Sequence, residues 1–221
     1  MGIPGHWVPV PDAIARDFAA LEQFADDQKV FPFVRVEDGF YDKRPGAGPS
    51  AYFYDTGRSS ITDENGIPLD PWGSIYRFDF EDPSDPAGGS TTLTLLARSS
   101  GPGAMWASPD NGDMNAEGVI MLMEGPANSP WTRRPAIWAF QLAPDGSLMD
   151  PLGRRIVELV DPNDPDNASL VFGNESSGIV DVSEWLGAGA WIFDIQAHDM
   201  SVPSLGLSEE NGQLIYMKLN G

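Results

Sequence analysis

Cysteine is absent from all 221 residues, which excludes disulfides, thiolate metal sites and a cysteine nucleophile. Basic residues are scarce: 13 Lys and Arg stand against 33 Asp and Glu, a formal net charge of -20. Without a basic patch the phosphates of a nucleic acid would be repelled, so no nucleic-acid partner is expected. No apolar run approaches the ~20 residues that cross a bilayer, so no membrane span is expected. The opening MGIPGHWVPV lacks a basic start followed by an apolar stretch, so it does not read as a secretory signal. Its His6 stands where a myristoylation motif needs Ser or Thr. Standard catalytic signatures are also missing, including G-x-S-x-G, H-E-x-x-H and a phosphate-cradling G-x-x-x-x-G-K.

What is present is ordinary folded composition, 41% hydrophobic and 21% charged. The excess acid has two readings. Most of it suits a solvated surface, and a minority can converge on hard cations such as Ca²⁺. One segment near the start has helical spacing: Pro11 and Asp12 form a start signal, and Ile14, Phe18, Leu21 and Phe24 fall on one face. That helix is expected to end near Gln28, within an N-terminal segment 1–30. Beyond it, Gly (24) and Pro (20) punctuate short apolar-aromatic runs, a pattern of strands and turns over 31–221.

These strands read as a repeat. Three runs end in an acid: AYFYD at Asp55, VIMLME at Glu124 and AWIFD at Asp194, separated by 69 and 70 residues. Ahead of each lies another polar element, with Glu37, then Asp110 and Asn111, then Glu175. After each comes a strand with an aromatic at a matching place: Tyr76, Trp138 and Tyr216. TTLTLLA and RRIVELV supply a further strand in the first two units. The expected fold is all-β, a β-propeller or partial propeller of about three elaborated blades with a short N-terminal helix. An irregular sandwich is the alternative, but it leaves the near-equal spacing of the acids unexplained.

In a propeller the first strand of each blade lines a common axis. Glu37, Asp110 and Glu175 would then form one set of equivalent positions, and Asp55, Glu124 and Asp194 another. Rings of like charge are costly unless protons or cations neutralise them, and carboxylates beside the amides of Asn111 and Gln196 suit Ca²⁺. Equally, an acid just after a strand can satisfy loop N–H groups. His198 in DIQAHD, beside two acids, suits a metal ligand, a phosphate partner or a proton donor. Arg58, near the strand ending at Asp55, can clamp an anion bidentately. Lys43, Arg44, Arg77, Arg133 and Arg134 carry the blander reading of charge balance.

The series FVRVEDGFYD, SPDNGDMNAEGVIMLMEGP, ESSGIVDVSEWLGAGAWIFDIQAHD and GQLIYMKLNG resembles the C-terminal part of PhoX-type alkaline phosphatases and their phytase-like relatives. The resemblance runs from about Phe31 to Gly221. It implies an exported, periplasmic or extracellular β-propeller whose acids bind Ca²⁺, with iron in the best-understood members, around a phosphate-ester site. Carried over by motif, Glu37, Asp110, Asn111, Glu124, Glu175 and Asp194 are the metal ligands. His198 is the catalytic candidate, and Arg58 and Gln196 are the substrate-binding candidates. The chain departs at Val36, where Pro is usual, and at Gly125, where an Asp is usual. The family's cysteine ligand has no counterpart here.

The leading reading is therefore a metal-dependent phosphoric-ester hydrolase, or the C-terminal half of one, acting on a small phosphate ester. A non-catalytic, calcium-stabilised propeller module for extracellular or cell-surface binding is the other reading. Three units do not close a ring, so the chain is expected first to be a fragment with a further N-terminal half, otherwise to pair with another copy or to leave an open arc with exposed edges.

Overall fold

The computed structural model describes residues 2–85, 88–125, 134–159, 174–197 and 211–219. These form three antiparallel sheets and three short helices. The first sheet holds β1 (Ile3–His6), β2 (Val36–Tyr41), β3 (Ser50–Asp55), β4 (Ser74–Phe80) and β5 (Ser90–Arg98), in the order β1-β5-β4-β3-β2. The second holds β6 (Pro109–Met114), β7 (Val119–Glu124), β8 (Ala136–Gln141) and β9 (Arg154–Glu158) in sequence order. The third holds β10 (Asn174–Asp181), β11 (Ala190–Ala197) and β12 (Asn211–Lys218). β2 lies against β6, and β6 against β10, so the first strand of every meander is innermost. This is the side-by-side arrangement of propeller blades, and it confirms the all-β expectation.

The repeat is visible in the register. Tyr76 pairs with Phe53, Trp138 with Leu122 and Tyr216 with Ile192, each two residues before the acid of its strand. Every innermost pair also carries a bulge, between Val36 and Gly39, Pro109 and Asn111, and Ser177 and Val180. An inserted residue there bends and twists the inner strand at the same place in each sheet.

Alternating side chains fill the two gaps between the sheets. Tyr52 and Tyr54 on the back of the first sheet pack with Ile120, Leu122, Phe140 and the fully buried Trp106. Met121, Met123 and Ile137 on the other face of the second sheet pack with Trp191 and Phe193 of the third. Phe53, Tyr76 and Leu93 form a smaller cluster on the front of the first sheet.

The N-terminal helix differs from the expected single run. Its residues form α1 (Asp12–Ala15) and α2 (Phe18–Asp27), with Arg16 and Asp17 between them. Asp17 is extended, at φ -124° and ψ 111°, and its carboxylate accepts the Ala20 N–H at 3.1 Å. A side chain that can cap a new helix competes with continuing the old one. Neither helix buries a residue, and Phe18 is 77% exposed. α3 (Ser183–Leu186) bridges β10 and β11. Among the described residues no helix is long and apolar enough to cross a membrane.

The junction of the first two sheets depends on Gly73, whose φ is +93°. A Cβ there would lie 2.4 Å from Pro109 Cδ and 2.5 Å from the Asp55 carbonyl oxygen. Gly73→Ala is expected to cost about 2–4 kcal/mol through left-handed strain and overpacking, read as a lower urea midpoint with an unchanged slope.

Candidate functional site

The acids that end β3 and β7 serve the backbone. Asp55, almost fully buried, accepts the Val34 and Arg35 N–H groups at 2.7 Å each and Gly57 N–H at 3.0 Å. Glu124, at 0% exposure, accepts Ala107 N–H at 2.7 Å on one oxygen and Ala136 N–H at 2.9 Å on the other. In both cases the acid draws in the segment that leads to its neighbouring inner strand. Glu124, which the sequence placed among the metal ligands, has each oxygen accepting one backbone N–H.

Asp194 matches Asp55 and Glu124 in spacing but not in direction. Asp55 shares its face with Phe53, away from the second sheet, and Glu124 shares its face with Leu122, toward the first. Asp194 shares its face with Ile192, opposite Trp191 and Phe193, and so points away from the second sheet. Its Oδ1 is buried and makes no hydrogen bond among the described residues.

Glu37, Asp110 and Glu175 are each the second residue of an inner strand. Their registers are not all equivalent. Val36 opposes Asp55, Pro109 opposes Glu124 and Ser177 opposes Asp194, so Glu37 and Asp110 correspond to Gly178, while Glu175 lies three residues earlier, opposite Gln196. The three nonetheless share one electrostatic neighbourhood. Burial pushes the Asp110 carboxyl up to about 6, reinforced by the charges of Glu175 and Glu37 and moderated by Arg35 and the Asn111 amide. Arg35 Nε donates to Glu37 at 2.8 Å. A Cβ on Gly125 would stand 2.9 Å from that of Asp110, so the missing side chain makes room for the carboxylate.

Asn111 donates its amide to Asp110 at 2.6 Å and accepts Gly178 N–H at 3.4 Å. Asp38, at the corresponding bulge position, accepts Gly112 N–H at 3.4 Å, so the same link joins each inner strand to the next. Asp113 extends it, accepting Lys43 at 2.6 Å and the Asp181 N–H at 2.8 Å on one oxygen. Arg44 and Arg77 pair with Asp42 and Asp79, as charge balance requires. Arg58 is exposed in the loop after β3, and Gln196 is exposed on β11. His198 lies outside the described residues, as does Arg133.

Sequence reasoning missed Arg35, Asp38 and Asp113. Arg35 was detectable, because residues two apart on a strand share a face and Arg35 stands two before Glu37. Asp113 was not, because its two partners, Lys43 in the loop after β2 and Asp181 in β10, are 70 and 68 residues away in sequence.

Among the described residues no group of three or more His, Cys, Asp or Glu lies close enough to hold a metal ion together. The donor types at the Asp110 edge, three carboxylates and an amide, still match the oxygen chemistry of a hard cation. The raised Asp110 carboxyl marks charge there that the protein itself only partly neutralises.

The three-sheet array resembles PhoX. It matches the solved structure of Pseudomonas fluorescens PhoX in complex with vanadate, a transition state analogue, at a TM-score of 0.58 and 14% identity. The match covers 90% of this chain and 36% of PhoX, so the chain spans about a third of that protein's length. At this identity PhoX shares the fold. No family model matches the sequence, and no curated protein does.

Proposed function

We propose that this chain is a metal-dependent phosphoric-ester hydrolase of the PhoX and phytase-like type, or the C-terminal half of one. The observation that carries the reading is the neighbourhood of Asp110, where burial, together with Glu175 and Glu37 from two other sheets, raises its carboxyl to about 6. Strand starts that bring three carboxylates into one neighbourhood, with Arg35 only partly offsetting the charge on Asp110, suit a polyvalent cation. The vanadate of the PhoX structure supports phosphoryl chemistry as the use of such a site. When bound, calcium or iron would supply charge neutralisation and polarisation of a phosphoryl oxygen.

In this reading the charges of Glu37, Asp110 and Glu175 would draw the cation to this edge, although among the described residues no three acids stand close enough to ligate it together, and Asn111 orients Asp110 through its amide. Arg35 fixes the Glu37 carboxylate. Asp194 and Gln196 form the polar end of β11, and His198, two residues further along the chain, is the proton donor. Arg58 is the anion clamp from the loop after β3. An exported, periplasmic or extracellular location belongs to the same proposal, through the resemblance to the PhoX type.

The commitment of Asp55 and Glu124 to backbone N–H groups favours a second reading, a calcium-stabilised module without catalysis. One experiment separates the two. The chain is melted with calcium and with chelator, and a phosphomonoester assay is run on the calcium form. A melting temperature at least several degrees higher with calcium, together with hydrolysis lost in Glu37→Gln, is expected. A calcium shift without hydrolysis selects the module. No shift and no stoichiometric metal removes both.

A further inference from the structure

The array ends in two apolar faces that meet no other sheet among the described residues. The front of the second sheet, through Leu122, Trp138 and Phe140, is buried against the first. The front of the first sheet carries Phe53, Tyr76 and Phe78 at the same register positions, but Phe53 and Tyr76 are already buried there, under Phe31 and Phe33. Phe33 lies edge-on over these rings. Beside it a groove of about 530 Å³ remains, lined by Trp7, Phe33, Tyr41, Phe78 and Phe80. Tyr41 is 75% exposed at its rim.

At the other end, the back of the third sheet carries Val180, Ile192 and Tyr216 in one row and Asp194 and Leu214 in the next. Leu214 is 78% exposed and Tyr216 52%. Asp194, whose buried Oδ1 has no hydrogen-bond partner among the described residues, lies on this face.

We propose that a second copy of this chain covers both ends. The back of the third sheet of each copy seats on the aromatic groove of the first sheet of the other. The occupant is argued from continuity: the same back-to-front stacking already joins the first sheet to the second and the second to the third. The end faces are unlike, one an open row with Leu214 and Tyr216 and the other a groove rimmed by Tyr41 and Glu37 over buried rings, so neither can close the stack by pairing with itself. A two-fold axis parallel to the inner strands makes the two new junctions identical and closes a ring of six sheets, within the ~4–8 of stable propellers. It also sets β10 of one copy beside β2 of the other, so that Glu175 and Glu37 from different copies border one axial site. The charge of -20 on each chain opposes this contact, which is why salt strengthens it.

The absence of cysteine makes the test clean. Light scattering and sedimentation of the 221-residue chain, from micromolar to millimolar concentration, are expected to show twice the 23.9 kDa chain mass, favoured by salt. Tyr216→Asp, at an exposed position, is expected to weaken association at least tenfold while leaving the melting temperature of the monomer unchanged. Tyr41→Cys and Leu214→Cys chains are then oxidised separately and as a mixture. Crosslinked dimer in the mixture alone is the expected result. A monomer at every concentration overturns the proposal, as does crosslinking of Leu214→Cys with itself, which would signal pairing along β12 or back to back.

Discussion

Replacing Glu124 by alanine is expected to remove about 3–5 kcal/mol of stability, because it strands two buried N–H groups and opens a cavity. The donors are Ala107 and Ala136, on two segments that this carboxylate joins at a site of 0% exposure. Against a typical total of about 5–15 kcal/mol, such a loss leaves little of the folded state. Glu124→Gln keeps the shape but turns an amide donor toward one of the N–H groups, so a smaller loss of about 2 kcal/mol is expected. Urea unfolding followed by circular dichroism measures both. The informative comparison is with and without calcium. A loss of the same size in chelator places Glu124 in the fold. A loss seen only with calcium would return it to the metal ligands.

Asp110→Asn has the opposite sign. Its carboxyl stands at about 6 in the folded chain against an ordinary 3.8, so folding favours the protonated form. That contribution is fully present below about pH 4 and is lost as the pH rises through about 6. The interval from 3.8 to about 6 corresponds to about 3 kcal/mol at most, and screening at a half-buried site reduces it to roughly 1–2 kcal/mol. In chelator at about pH 8 the Asn variant is therefore expected to be the more stable by roughly that amount. At about pH 4 the two should unfold together. Adding calcium at the higher pH should reverse the order, because only the carboxylate gains a cation. Urea midpoints across this grid give the answer. A variant that is less stable in chelator at every pH would show that Asp110 is not under charge strain.

The two results bear on different parts of the molecule. Glu124 and Asp55 act inside the sheets, holding the chain that leads to each inner strand. Asp110 acts between sheets, where Asp38, Asn111 and Asp113 already link one inner strand to the next. A cation at the Asp110 edge would add to an existing seam of polar links.

By itself the sequence determined the strands, their grouping into three units and the aromatic that comes after each acid, because local turn residues and period-two alternation encode these. It also brought Glu37, Asp110 and Glu175 into one hypothesis, since each opens an inner strand. The break at Asp17 was a local competition between cap and helix, readable in kind but not in outcome. Tertiary structure decided the rest. Which face Asp194 takes follows from its neighbours Trp191 and Phe193, which turn toward Met121, Met123 and Ile137 of the second sheet. Whether a carboxylate at a strand end binds a cation or the backbone depends on which N–H groups the neighbouring segment presents, and for Glu124 these come from residues 17 before and 12 after it. The raised carboxyl of Asp110 likewise exists only once burial and two distant acids act on it together. Charge interactions fall with distance in space, and sequence separation does not measure that distance.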